Sequence, residues 1–130
     1  MTKKTYHIED LFKALADRTR LRLISIIGDS EVCVCFFVAI LKTSQPKISR
    51  HLAYLRRAGI VKARREGKWM HYRLAEPPDE HAARIFREVR ESLAEHPEFQ
   101  RDRENLTKVC CALQLPVQLR RAPRPLGRAA

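Results

Sequence analysis

SQPKISRHLAYLRRAGIV, residues 44–61, running on into KARREGKWMHYRL, residues 62–74, decides the fold. In the first part Ile48, Leu52 and Leu55 recur at helical spacing, while Lys47, Arg50, Tyr54 and Arg57 fall on the opposite face. Ser44 suits a helix cap, Pro46 a first helical turn, and Gly59 a left-handed stop. The second part alternates and is broken by Glu66-Gly67-Lys68, which predicts a two-stranded hairpin with a positively charged tip.

Upstream, Ile8, Leu11, Phe12 and Leu15 form one apolar helical stripe. Asp17 reads as the cap of a second helix carrying Leu21, Ile24 and Ile27, stopped at Gly28-Asp29. Then comes SEVCVCFFVAIL, residues 30–41, with ten consecutive apolar residues that include Cys33 and Cys35. Its length favours a short buried helix over about 35–42, with a strand as the alternative. Helix, turn, basic-faced helix and basic hairpin in this order make a winged helix-turn-helix, mainly α with a small β-hairpin.

Downstream of Pro77-Pro78 a further helix over roughly 79–95 carries Ala82, Ile85, Val89 and Leu93 in one stripe. A stripe outside the main core pairs readily with its copy in a second subunit, so a homodimer is expected. Residues 98–109 predict a short additional helix. From Pro116 the chain is basic, with further prolines at 123 and 125, and little fixed structure is expected there. The chain therefore divides into 1–97 for DNA binding and dimerisation, 98–111 as an extension ending in a Cys pair, and 112–130 as a basic tail.

The 130 residues carry a formal charge of +11, and the excess is localised. Residues 1–74 hold sixteen basic and six acidic side chains, 75–111 six and nine, and 112–130 four and none. A basic front half calls for a polyanion, with nucleic acid favoured over a membrane because no basic amphipathic helix dominates. The opening MTKKTYHIED has no apolar segment of the secretory kind, and ten apolar residues fall short of the roughly 20 that span a bilayer. A cytoplasmic protein without a membrane partner is expected, in which the four cysteines serve as free thiols or metal ligands. No phosphate loop, H-E-x-x-H or recognisable Ser/His/Asp set is present, so no enzyme activity is expected.

A helix entering the major groove needs short polar groups near its N-terminus for base edges and cations along its flank for phosphates. Ser44, Gln45, Lys47, Ser49, Arg50 and His51 fit those roles on double-stranded DNA. Arg64, Arg65 and Lys68 at the hairpin are placed to meet the minor groove or the backbone.

LFKALADRTRLRLI, EVCVC, SQPKISRHLAYLRRAGIV and RREGKWMHYRL, together covering roughly residues 8–75, resemble the arsenic-responsive ArsR/SmtB repressors. The resemblance implies a homodimer that represses its operon and releases operator DNA when an inducer binds. It also implies that helix 45–57 reads the operator and that the first and last main helices form the dimer interface. Arsenic-type members carry E-x-C-V-C-D-L-C and bind As(III) or Sb(III) through three thiols. Cys33 and Cys35 match the first two, but Phe36 replaces the Asp and Val38 the third Cys. No permanent cofactor is implied.

Soft thiolate sulfur selects soft acceptors such as trivalent arsenic. Two residues apart, Cys33 and Cys35 would point about 200° from each other on an ideal helix. They share one atom only where the helix start is irregular or deforms. The competing reading is core filling, since free Cys is a common small core residue. Cys110-Cys111, near Arg101, Arg103 and Lys108, is a candidate source of the missing third sulfur.

Asp79-x-His81 resembles half of an interfacial zinc site found in other members, but Ser92 and Glu95 stand where its other half belongs. His7, His51, His71 and His96 show no ligand spacing. Two other functions compete with metalloid-released repression. One is a thiol/disulfide redox switch on DNA, and the other is a metalloid buffer that ignores DNA.

Overall fold

The computed structural model describes residues 5–110 and 123–125. Helix α1 (Ile8–Leu15) buries Leu11 and Ala14, and α2 (Arg18–Ile27) buries an unbroken run from Leu23 to Ile27. Asp17 caps α2 as its sequence suggested, accepting a hydrogen bond from the Arg20 amide at 3.0 Å. Gly28 ends the helix at φ +51°.

The apolar stretch then divides. Its first part, Glu31–Cys33, is a strand (β1), and α3 (Val34–Leu41) follows without an intervening turn residue. Helix and strand, the two alternatives the sequence offers for this stretch, thus both occur, and the point of division is hidden because an uninterrupted apolar run carries no boundary signal. Lys42 closes α3 in the left-handed region at φ +52°. Three residues later α4 (Gln45–Arg57) begins, with Pro46 in its first turn and Ile48, Leu52 and Leu55 buried. Ser44 stands at the cap position, but its side chain makes no capping hydrogen bond.

Strands β2 (Val61–Glu66) and β3 (Trp69–Leu74) form the hairpin. Gly67, at φ +60°, occupies the first of two loop positions, as a type II′ turn requires. β1 adds to the free edge of β3, giving a three-stranded antiparallel sheet in the order β1-β3-β2 instead of a two-stranded hairpin. The register sets Cys33 opposite His71, and His71 opposite Arg64. Gly59, at φ +76°, admits no side chain easily, because a Cβ there would lie 3.2 Å from Pro78 Cδ.

Helix α5 (Glu80–Glu95) starts on Asp79, whose carboxylate accepts from the Ala82 amide at 2.9 Å. Ala82, Ala83, Phe86 and Leu93 face the protein's own core, whereas Ile85 and Val89 are half-buried. The stripe read from the sequence is thus shared between the core and the surface. Helix α6 (Pro97–Cys110) is longer than the predicted short helix and packs on α2, α3 and α5. Its Phe99 is buried, and Asp102, only 3% exposed, takes a two-pronged contact from Arg22 at 2.8 and 2.9 Å. Ser25 donates to the Phe99 carbonyl, while Arg18 pairs with Glu98 and stacks on the Phe99 ring. Among the described residues no helix is long and apolar enough to cross a membrane.

Candidate nucleic-acid interface and thiol site

Burying Ile48, Leu52 and Leu55 turns the other face of α4 outward. Ser44, Gln45, Lys47, Ser49 and Arg50 are all exposed there, as the helical spacing requires. His51 is different. It is half-buried against the start of α2, with Nδ1 3.3 Å from Arg20 Nη1 and 3.7 Å from Asp17 Oδ2. Burial pulls its pKa below the ordinary histidine value, with Arg20 and Arg50 adding to that effect and Asp17 opposing it.

Arg20 is a residue the sequence reading passed over. Its guanidinium donates to the Ala14 carbonyl at 2.9 Å and the Lys13 carbonyl at 2.7 Å. It also stacks 4.5 Å from the Tyr54 ring. One side chain therefore joins the end of α1, the start of α2 and the outer face of α4. Arg57 approaches the same ring at 5.8 Å. The cationic run DRTRLR held the only sequence hint, and it does not reveal a partner on a distant helix.

In the wing, Arg65 and Lys68 are exposed, and the Lys68 ammonium lies 5.1 Å from the Trp69 ring centroid. Arg64 is exposed but engaged. It donates to Glu31 Oε1 at 2.6 and 3.0 Å and to Glu66 at 3.2 Å. Its charge is balanced within the protein, unlike the free wing cation that its position in the hairpin suggested.

Cys33 ends β1 and stands at the cap of α3, with extended φ −71° and ψ 142°. Cys35 lies in the first turn of that helix. The step from strand to helix swings the two side chains together, and their sulfurs lie 3.0 Å apart. This is the irregular helix start that a shared ligand needs. Two sulfurs bound to one atom at about 2.3 Å, a usual metal–thiolate length, stand roughly 3 to 4 Å apart.

The pair also shares a proton unevenly. The Cys35 thiol and the amides of Val34, Cys35 and Met70 favour thiolate at Cys33, drawing its pKa down to about 7 against the opposing effect of burial. Cys35, which holds the remaining proton against that sulfur, is pushed well up.

Phe36 and Val38, at the two positions that depart from the arsenic-type motif, are buried and half-buried in α3. Cys110 ends α6 and is half-buried against the core, while Cys111 lies outside the described residues. Among the described residues no three His, Cys, Asp or Glu side chains already form a metal-holding cluster, so Cys110 is not gathered to the pair. The half-site Asp79-x-His81 is not assembled either. Asp79 caps α5, and His81, Ser92 and Glu95 are exposed.

The family described as "Bacterial regulatory protein, arsR family" matches over residues 17–63. The arsenical resistance operon repressor of Escherichia coli is 49% identical over 80 residues, covering 61% of this chain and 68% of that protein. The arsenic resistance transcriptional regulator ArsR1 of Pseudomonas putida is 55% identical over 65 residues, 49% of this chain and 51% of its own. The chain thus spans about two thirds of the first relative and half of the second. Among solved structures, HlyU of Vibrio cholerae superposes with a TM-score of 0.55 at 30% identity, covering 65% of this chain and 88% of that one. The homodimeric winged helix-turn-helix domain Mb0332 of Mycobacterium bovis gives 0.55 at 28% identity, over 75% and 94%.

Proposed function

The chain belongs to the arsR family of bacterial regulatory proteins, and on that premise we propose that it is a dimeric transcriptional repressor released from its operator by As(III) or Sb(III). The observation that carries the choice of inducer is the 3.0 Å approach of Cys33 and Cys35 at the start of α3. Each thiol replaces one hydroxide on the metalloid: a sulfur–arsenic bond forms, and the thiol proton leaves with the hydroxide as water. No base or oxidant is needed.

Only residues 42–44 separate α3 from α4. A ligand that fixes the sulfurs therefore strains the segment supporting the base-reading helix. Release requires that the metalloid bind the low-affinity conformation better than the DNA-bound one. Gln45, Ser44, Ser49 and His51 are assigned to or beside the base edges, Lys47 and Arg50 to phosphates, and Arg64, Arg65 and Lys68 to the adjacent minor groove or the backbone. Arg64 first has to exchange a carboxylate partner for a phosphate. Cys110 and Cys111 remain the proposed source of a third sulfur, which requires the end of α6 to move toward α3.

A DNA mobility shift on reduced protein tests this. Cys33→Ser and Cys35→Ser should bind operator normally and no longer respond to arsenite. If Cys33→Ser responds as the parent does, the pair is core filling and the reading fails. The doubly substituted Cys110→Ser/Cys111→Ser should respond poorly to arsenite but normally to a monomethyl arsenical, which has only two exchangeable positions. The same close sulfurs favour a disulfide switch as the second reading. Release by diamide, with no release by arsenite under reducing conditions, would select it. A metalloid buffer indifferent to DNA has no use for the exposed polar and cationic face of α4.

A further inference from the structure

Where the end of α2 meets α5 and α6 there is a cavity of about 330 Å³. That is the small end of ligand sites, which run from about 300 to 1,000 Å³. Buried Ile24 and Leu93, together with Ala94, give it an apolar side. Three guanidiniums, those of Arg87, Arg90 and Arg103, stand around it against two carboxylates, Asp29 and Glu91. Arg87 is turned to Glu76 at 3.0 Å, and Arg90 to Asp29 at 3.2 Å. Arg103 has no carboxylate within ion-pairing distance among the described residues, and its Nη2 lies 3.4 Å from where a Gly28 Cβ would stand. The end of α2 offers that guanidinium only the partial negative charge of a helix C-terminus.

We propose that this cavity binds a small organic anion, a carboxylate carried on a compact apolar body. Arg103 and Arg90 hold the carboxylate, and the body rests on Ile24, Leu93 and Ala94. A guanidinium presents two parallel N–H donors to a carboxylate, so an uncommitted Arg103 beside an apolar wall selects this ligand class. Arg90 has to exchange Asp29 for the ligand, and an ion pair so open to solvent gives little resistance. A wholly polar anion would leave the apolar side uncovered, so the body takes part in recognition. The site uses neither cysteine nor metalloid and is independent of the thiol pair. Dimerisation also leaves it open. Arg87, Arg90 and Ala94 lie roughly 140–200° around α5 from Ile85, counting 3.6 residues per turn, and so face away from the stripe assigned to the second subunit.

Benzoate serves as the probe on reduced, full-length protein, followed by calorimetry and nuclear magnetic resonance. Benzamide supplies the body without the charge, and acetate the charge without the body. Benzoate should bind once per chain and move the resonances of Gly28, Leu93 and the Arg103 side chain. Benzamide and acetate should each bind at least about tenfold more weakly, one lacking the charged hydrogen bonds and the other the apolar burial. Arg103 is exposed, so Arg103→Gln should fold normally. It should lose about tenfold in benzoate affinity, as removal of a charged hydrogen bond does, and bind benzamide unchanged. Ala94→Leu fills the apolar side while keeping every charge, and should weaken benzoate as well. Equal affinity for benzoate and benzamide, or shifts that bypass Gly28 and Arg103, overturns the proposal. Undiminished benzoate binding by a folded Ala94→Leu overturns it too, since that result marks loose attraction to a basic surface.

Discussion

Cys33 and Cys35 show how one dihedral pair decides a chemistry. On an uninterrupted helix the sulfurs diverge, and that is as far as residue spacing reaches. Because Cys33 is extended and α3 begins one residue later, the sulfurs meet at 3.0 Å. The sign of the resulting pH dependence follows from the proton they share. The folded pKa of Cys33, about 7, lies below its ordinary value of 9.0. Between those limits the folded protein therefore holds fewer protons than the unfolded chain. Stability should rise with pH across that window and be lost again as pH falls through 7. Above it, the retained proton on Cys35 reverses the trend. Ultraviolet thiolate absorbance of folded protein should show a step near 7 that Cys33→Ser abolishes. A first step near the ordinary thiol range would mean that the sulfurs do not share a proton. His51 and Arg64 were harder to read, because their partners Asp17, Arg20 and Glu31 lie more than thirty residues away in sequence.

At the scale of elements, α4 and the wing were legible because their periods differ and Gly59 and Gly67 punctuate them. The bounds of β1 were not, since Glu31–Cys33 leads straight into an apolar run that carries neither period nor boundary. Base readout and phosphate contact should separate cleanly on these elements. Gln45→Ala should cost on the order of 1–3 kcal/mol on operator and relax base discrimination, while Lys68→Ala should weaken specific and random DNA alike. Equal losses on both DNAs for Gln45→Ala would remove that residue from base readout. Helix α6 was foreseen only as a short addition, because its attachment lies in Arg22 and Phe99, which have no local signature. Removing the nearly buried Asp102 carboxylate leaves Arg22 unpaired, so Asp102→Ala should cost about 2 kcal/mol. An unaltered thermal midpoint would show that the ion pair does not secure α6.

The whole molecule exposes what its core does not need. Phe12 is 52% exposed and Ile8 36%, on the helix that the family resemblance assigns to a dimer contact together with α5. Ile85 and Val89 on α5 are half-buried, so charging them perturbs the core and the proposed interface together. Phe12→Asp is the cleaner variant. It should sediment as a folded monomer and lose tight binding to a palindromic site, since two half-sites need two α4 helices held at fixed spacing. A dimeric Phe12→Asp protein would place the contact elsewhere.

The three-residue joint between α3 and α4 has a consequence for dosage. If strain at the thiols reaches α4 within a single protomer, the partner need not be loaded for that half-site to loosen. Grip on a palindrome is the product of two linked attachments, so freeing one forfeits the whole avidity gain of about 10²–10⁴. The first metalloid atom would then act as an off-signal for the entire dimer, and induction should follow a graded curve with a Hill coefficient of about one, as a single governing site gives. Tandem-linked dimers with Cys33→Ser in one half provide the measurement. They should still leave the operator on adding arsenite, whereas a dimer that stays bound would mean that both halves must be silenced together.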